Sequence, residues 1–159
     1  MSEIKVEAAR LNMGPIGFHV YARKFLEAIP PPSKEYSPVP YYCVCRALEL
    51  ALKAFLSANG VSSRKLKSKK FGHDLLALWN LAREYDLARH YPATALAQAE
   101  LAKANVCYAE KGFEYFQLRF MMRNEPPLPS LELLTSMARD MLQAIRQSVV
   151  DASQNRRVA

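Results

Sequence analysis

The densest group of residues that could do chemistry lies between positions 64 and 70. Five of these seven positions carry a positive charge, and we call them the basic segment: Arg64, Lys65, Lys67, Lys69 and Lys70. The run leads directly into His73-Asp74, where the sequence predicts the start of a helix. Free backbone amides at a helix start attract anions. Together these features predict contact with phosphate or an RNA backbone, and the alternative is a solvated basic loop.

A second charged feature interrupts a predicted helix that is otherwise apolar. Arg46, Glu49 and Lys53 follow helical spacing and form one narrow stripe. Glu49 precedes Lys53 by four positions, the favourable order for an ion pair on a helix surface. The stripe is therefore interpreted as the one solvent-exposed edge of this helix. The alternative is that it faces a groove and takes part in binding.

The histidines stand singly in the sequence. His73 is predicted to lie at a helix start with its ring held by the capping geometry, His19 to pack at the margin of the first helix, and His90 to lie in a loop. The chain has no glycine-rich phosphate loop, no Gly-x-Ser-x-Gly elbow and no His-Glu-x-x-His pair. Nucleotide-binding and hydrolase folds built on those motifs are therefore not predicted.

The cysteines predict small buried side chains in a reducing compartment rather than a disulfide framework. Cys43 and Cys45 are two positions apart and would point to different sides of a helix, so they could not share a metal ion. With Cys107 as the only other thiol and the histidines scattered, no metal site is predicted. No cofactor is predicted either.

The elements that must position these residues are helices. Five of the ten prolines lie in Pro30–Pro40 and three in Pro126–Pro129, and proline breaks a helix interior. Between these breaks the apolar residues recur with helical spacing, and no strand pattern competes. The predicted helices are Phe18–Ile29, Tyr41–Asn59, one from about His73-Asp74, one from about Ala93 to about Phe116, and one after Pro129 with Ser130 as its N-cap.

Composition is typical of a globular protein and sets the fold class. The chain has 159 residues, of which 50% are hydrophobic and 23% charged, with a net charge of +7. We expect one domain over residues 1–159 with a polar, frayed tail from about Asp151. The fold class is an all-α antiparallel up-and-down bundle of about five helices. The absence of a signal-peptide pattern and of a membrane span predicts a cytoplasmic protein.

The run Tyr41–Leu56, followed by Asn59-Gly60, the basic segment and Gly72–Leu75, resembles the HEPN superfamily (higher eukaryotes and prokaryotes nucleotide-binding). The resemblance covers about residues 14–90. It implies an α-helical bundle that commonly forms a homodimer. Members of this superfamily act as RNA-cleaving toxins, as partners of nucleotidyltransferases, or as non-catalytic binding modules.

Catalytic members of that superfamily carry an arginine followed, after four to six residues, by a histidine near the start of the last core helix. Arg119 has the matching context, but Asn124–Pro126 stand where the histidine is needed. Arg83 precedes His90 by the right spacing, but the pair straddles the end of the third predicted helix. Related sequences carry an arginine where this chain has Glu114, and this reversal of charge would weaken a phosphate site.

The sequence therefore predicts a non-enzymatic HEPN-like binding module for RNA, a nucleotide or an acidic protein. Its predicted ligand-binding residues are the basic segment, His73, Asp74 and Arg119. The alternative is a metal-independent ribonuclease toxin that uses Arg119 or the pair Arg83–His90, and a third hypothesis is an adaptor that binds only protein. Expected partners are a second copy of the chain and a nucleotidyltransferase or antitoxin, with no membrane.

Overall fold

The computed structural model describes residues 13–113 and 128–158, and within those ranges the chain forms seven helices and no strand. The all-α class predicted from the sequence is confirmed. Two of the seven helices are single turns of four residues. The helices are α1 (Pro15–Glu27), α2 (Val39–Ala58), α3 (Ser63–Leu66), α4 (Leu75–Glu84), α5 (Leu87–His90), α6 (Ala95–Tyr108) and α7 (Leu131–Val158).

Helix α2 lies at the centre of the bundle because its sequence is apolar on almost every side. It packs against α1, α4, α6 and α7. Leu48, Leu52 and Phe55 are fully buried on it. The thiols of Cys43 and Cys45 are buried there too, as predicted, and burial raises the pKa of the Cys45 thiol. Any charged side chain on the inner faces of α2 must therefore find its partners inside the protein.

The ends of neighbouring helices meet inside the bundle. Phe25, near the end of α1, contacts Tyr42, near the start of α2, with ring centroids 6.2 Å apart. The first amide of α4, at Leu75, donates to Asn105 in the last turn of α6 at 2.7 Å. Through this bond, Asn105 joins the end of α6 to the start of α4.

Several helix starts are capped as the sequence suggests. Pro15 occupies the first turn of α1, where its missing N–H costs nothing. Ser130 caps α7, since its hydroxyl accepts from the Leu133 amide at 3.2 Å. Asp74 is the N-cap residue of α4, at the predicted helix start, and it accepts from the Ala77 amide at 2.9 Å.

Two predicted helix ends are wrong. Helix α6 ends at Tyr108 and not near Phe116, because the chain turns at Lys111 (φ of 61°) and the Gly112 amide donates to the Cys107 carbonyl at 2.7 Å. The turn places the ring of Phe113 on the core, stacked on Tyr41.

The second wrong end concerns the tail, because α7 extends to Val158 instead of fraying from Asp151. Arg156 Nη2 donates to the carbonyl of Ser57, in the last turn of α2, at 2.7 Å. Gln147 also donates to Asp151 across one turn at 2.8 Å. These contacts hold a polar stretch in helical form. In the described part of the chain, no helix is long and apolar enough to cross a membrane.

Candidate anion-binding site

The basic segment lies on the surface between α2 and α4. All five of its cationic side chains are exposed. Two apolar side chains of the same stretch, Leu66 and Phe71, are buried in the core. Ser62 caps the single turn α3 by accepting from the Lys65 amide at 3.2 Å. Leu66 within the segment and Phe71 directly after it thus anchor it to the core, while its charges are exposed.

The charges of the basic segment are not neutralised by the rest of the described protein. None of its five cations forms an ion pair with a described acidic residue. Lys65 and Lys70 place their ammonium groups 5.8 and 5.3 Å from the centre of the Phe71 ring. That ring is only 6% exposed, so it can hold the cations by their attraction to its π-face but offers little surface for a base to stack on.

Beside this surface, α2 buries a carboxylate, that of Glu49, which is completely inaccessible. Its Oε1 accepts from Arg46 Nη1 at 2.8 Å and from Lys53 Nζ at 2.7 Å. Its Oε2 accepts from the Tyr108 hydroxyl at 2.5 Å and lies 3.1 Å from His73 Nδ1. We call these five residues the Glu49 cluster. Every oxygen lone pair that Glu49 presents to the interior has a partner, which buried charge requires.

The electrostatics of the Glu49 cluster favour the ionised carboxylate. Burial opposes ionisation, but the charges of Lys53 and Arg46 and the hydrogen bonds from Lys53 and Tyr108 outweigh it, so the pKa of Glu49 lies below its ordinary value. Burial, followed by the charge of Glu49, raises the pKa of Tyr108. Tyr108 therefore stays protonated and donates. Lys53 also donates to the Gly72 carbonyl at 2.9 Å, which ties the cluster to the chain just after the basic segment.

The expectation that the charged stripe of α2 is a solvent-exposed edge is therefore wrong. Glu49 and Lys53 are buried, and Arg46 is exposed by only 28% at its side chain. The stripe faces a cavity of about 390 Å³, and Lys67 of the basic segment also lines this cavity. The stripe therefore faces a groove, as in the alternative interpretation.

The helix start at His73-Asp74 is not the open anion site that the sequence suggested. The amides of Leu75 and Ala77 are already bonded to the side chains of Asn105 and Asp74. Asp74 also accepts from Asn105 Nδ2 at 3.2 Å, so its carboxylate is part of the fold. The ring of His73 is held by Glu49 rather than by capping, and it lines the cavity with 42% of its side chain exposed.

Of the residues considered for ribonuclease chemistry, Arg83 and His90 fall within the described structure. Arg83 and His90 are both exposed, on α4 and α5, and no hydrogen bond joins them in the described ranges. His90 lies in α5 and not in a loop, with its ring against Phe55 at 5.5 Å. Arg119 and Glu114 fall outside the described residues.

His19 and Trp79 serve the packing of the bundle. His19 Nε2 lies 2.9 Å from the Leu142 carbonyl of α7, which supports its predicted packing role. Trp79 is a core residue, exposed by only 4%. Among the described residues, no three histidine, cysteine, aspartate or glutamate side chains lie close enough to hold a metal ion.

Sequence reasoning did not identify Tyr108 as a partner of Glu49. Tyr108 lies on α6, and 59 positions separate it from Glu49. The only available signal was the presence of three charges on a helix too apolar to have an exposed face. Comparison of the chain with protein families, with curated proteins and with solved structures found no match.

Proposed function

We propose that this chain is a non-enzymatic, HEPN-like binding module of the cytoplasm that contacts RNA through the basic segment. The observation that carries the proposal is a set of five exposed cations on seven consecutive positions, without a described acidic partner. An RNA backbone presents a row of phosphates, and each phosphate neutralised by a lysine or arginine releases a bound counterion.

A polymer suits the basic segment better than a single nucleotide. The five side chains spread from α3 to the turn before α4, so one phosphate group can reach only some of them. The aromatic ring nearest to them, Phe71, is buried, which disfavours base stacking and favours contact without strong sequence preference. The competing hypothesis is that the partner is an acidic protein. In that case the chain should not bind RNA in the experiment below.

The test is fluorescence anisotropy with a labelled single-stranded RNA at low salt. The variant Arg64→Ala/Lys69→Ala removes two exposed charges of the basic segment. The control Arg139→Ala/Arg146→Ala removes two exposed charges from α7, so both proteins have the same net charge. We expect the first variant to bind several-fold more weakly than the control. Equal affinities, or no binding by the original protein, would contradict the proposal.

A second candidate function rests on the position of His73. Its Nδ1 is held by the buried Glu49 carboxylate, and its ring lines the cavity beside Lys67. A histidine oriented by a carboxylate can exchange a proton with a 2′-hydroxyl and with a leaving 5′-oxygen. Such a ribonuclease toxin would cleave labelled RNA in the presence of a chelator and would lose cleavage in His73→Ala. The absence of cleavage by the original protein would remove this candidate.

The resemblance to the HEPN superfamily also supports a homodimer, with a nucleotidyltransferase or an antitoxin as a further protein partner. Leu96 and Val106 of α6 are exposed by 59% and 62%, and a second copy could cover them. One chain has a mass of 18.0 kDa, and light scattering should give twice that mass. A monomer at high concentration would contradict the dimer and leave RNA binding to be tested separately.

A further inference from the structure

The cavity beside the Glu49 cluster has the size of a small-molecule site. It lies between α1, α2 and the turn before α4, and its volume of about 390 Å³ falls within the range of ~300–1,000 Å³ common for such sites. One wall is apolar and largely aromatic, formed by Phe18, Tyr21 and Phe25 of α1 with Leu50 of α2 and Met13.

The opposite side of the cavity is positively charged. Three lining side chains are cationic, Arg46, Lys53 and Lys67, and one is a carboxylate, Glu49. The ammonium group of Lys53 is used by Glu49 and by the Gly72 carbonyl. Lys67 is exposed at the rim and forms no ion pair with a described residue. Positive charge therefore remains for a ligand after the needs of Glu49 are met.

Arg46 connects the two sides of the cavity. Its guanidinium lies 5.9 Å from the centre of the Phe25 ring, while one of its nitrogens bonds to Glu49. This position fixes the planar cation between the carboxylate and the aromatic wall. A guanidinium has five N–H donors, so Arg46 can bond to a ligand in addition to Glu49.

We infer that this cavity binds a small aromatic anion, with its ring against Tyr21 and Phe25 and its carboxylate, sulfonate or phosphate group at Arg46 and Lys67. A neutral ring would leave the cations without a counter-charge. A bare inorganic anion would leave the aromatic wall uncovered. Only a ligand with both parts matches both sides of the cavity.

This site is separate from the RNA surface, with which it shares only Lys67. Four of the five cations of the basic segment do not line the cavity: Arg64, Lys65, Lys69 and Lys70. RNA binding and small-anion binding therefore respond to different substitutions, and either proposal can fail without the other.

The probe is 8-anilinonaphthalene-1-sulfonate, an aromatic sulfonate whose fluorescence rises in apolar surroundings. Titration of the full chain should show one saturable site. The aromatic anion 2-naphthoate should displace the probe, whereas the neutral 2-naphthalenemethanol and inorganic phosphate at the same concentration should not. Displacement by the neutral compound as effectively as by naphthoate would overturn the inference, as would displacement by phosphate or the absence of saturation.

Matched variants localise the binding. Lys67→Ala should raise the dissociation constant of the probe about tenfold, whereas Lys69→Ala, at an exposed lysine outside the cavity, should alter it less than about twofold. Tyr21→Ala should weaken binding where Tyr85→Ala, at an exposed ring in the turn after α4, does not. Equal effects of Lys67→Ala and Lys69→Ala would show attraction to the surface as a whole and would overturn the assignment. If Tyr21→Ala fails to fold, the lysine comparison still decides the question.

Discussion

Glutamine at position 49 tests the Glu49 cluster, because Glu49→Gln removes a buried charge while it keeps the shape of the side chain. Glu49 is completely buried, and the ammonium of Lys53, in a residue only 7% exposed, lies 2.7 Å from it. In the variant that ammonium stays in the interior without its counter-charge. Removing one partner of a buried ion pair costs about 3–5 kcal/mol. We expect the free energy of unfolding to fall by that amount, a large part of the ~5–15 kcal/mol typical of a domain.

The assay is urea denaturation at pH 7, followed by far-UV circular dichroism. The matched control is Glu27→Gln on α1, where Glu27 pairs with Arg23 and Lys24 at 3.5 and 3.1 Å but is about half exposed. Exposed pairs contribute about 0–1 kcal/mol, so the control should remain close to the original protein. If the two variants were equally stable, the argument that α2 depends on a satisfied internal charge would be refuted.

Three further outcomes follow from the same contacts. The charges of Lys53 and Arg46 outweigh burial and hold the pKa of Glu49 below its ordinary value. The contribution of Glu49 to stability is therefore complete above about pH 4.3, the pKa of the unfolded chain, and is lost as the pH falls through the folded pKa. In denaturation at graded pH, Glu49→Gln should lose less stability in acid than the original protein, and an equal loss would contradict this. Asn105→Ala leaves the first amide of α4 without its acceptor and should cost about 1–3 kcal/mol in urea denaturation; a neutral effect would contradict that bond. Phe71→Ala removes a buried ring and should lower the free energy of unfolding by about 3–5 kcal/mol in urea denaturation. A loss below about 1 kcal/mol would show that the ring does not anchor the basic segment.

The helices could be predicted because their signals are local. Apolar spacing identifies α1, α2, α4 and α7, and Ser130 marks a cap that the structure confirms. The error at the tail arises where a local rule meets a distant contact. A polar tail predicts fraying from Asp151, but Arg156 reaches the carbonyl of Ser57, 99 positions away.

One part of the candidate site could likewise be predicted from the sequence, and the other part could not. The basic segment is visible in the sequence because its charges are consecutive. The Glu49 cluster is not, since His73 and Tyr108 lie 24 and 59 positions from Glu49. A stripe of three charges on α2 has the same appearance whether it faces water or a cavity. The packing of α1, α6 and the turn before α4 around α2 decides which, and that packing depends on the whole fold.

The salt dependence of RNA binding tests the central claim most directly. Each phosphate contact to a single strand adds about −0.7 to the slope of log K against log salt concentration. If the basic segment makes these contacts, Arg64→Ala/Lys69→Ala should make the slope shallower by about 1.4, while Arg139→Ala/Arg146→Ala leaves it unchanged. The same slope for both variants would show that RNA does not bind at the basic segment.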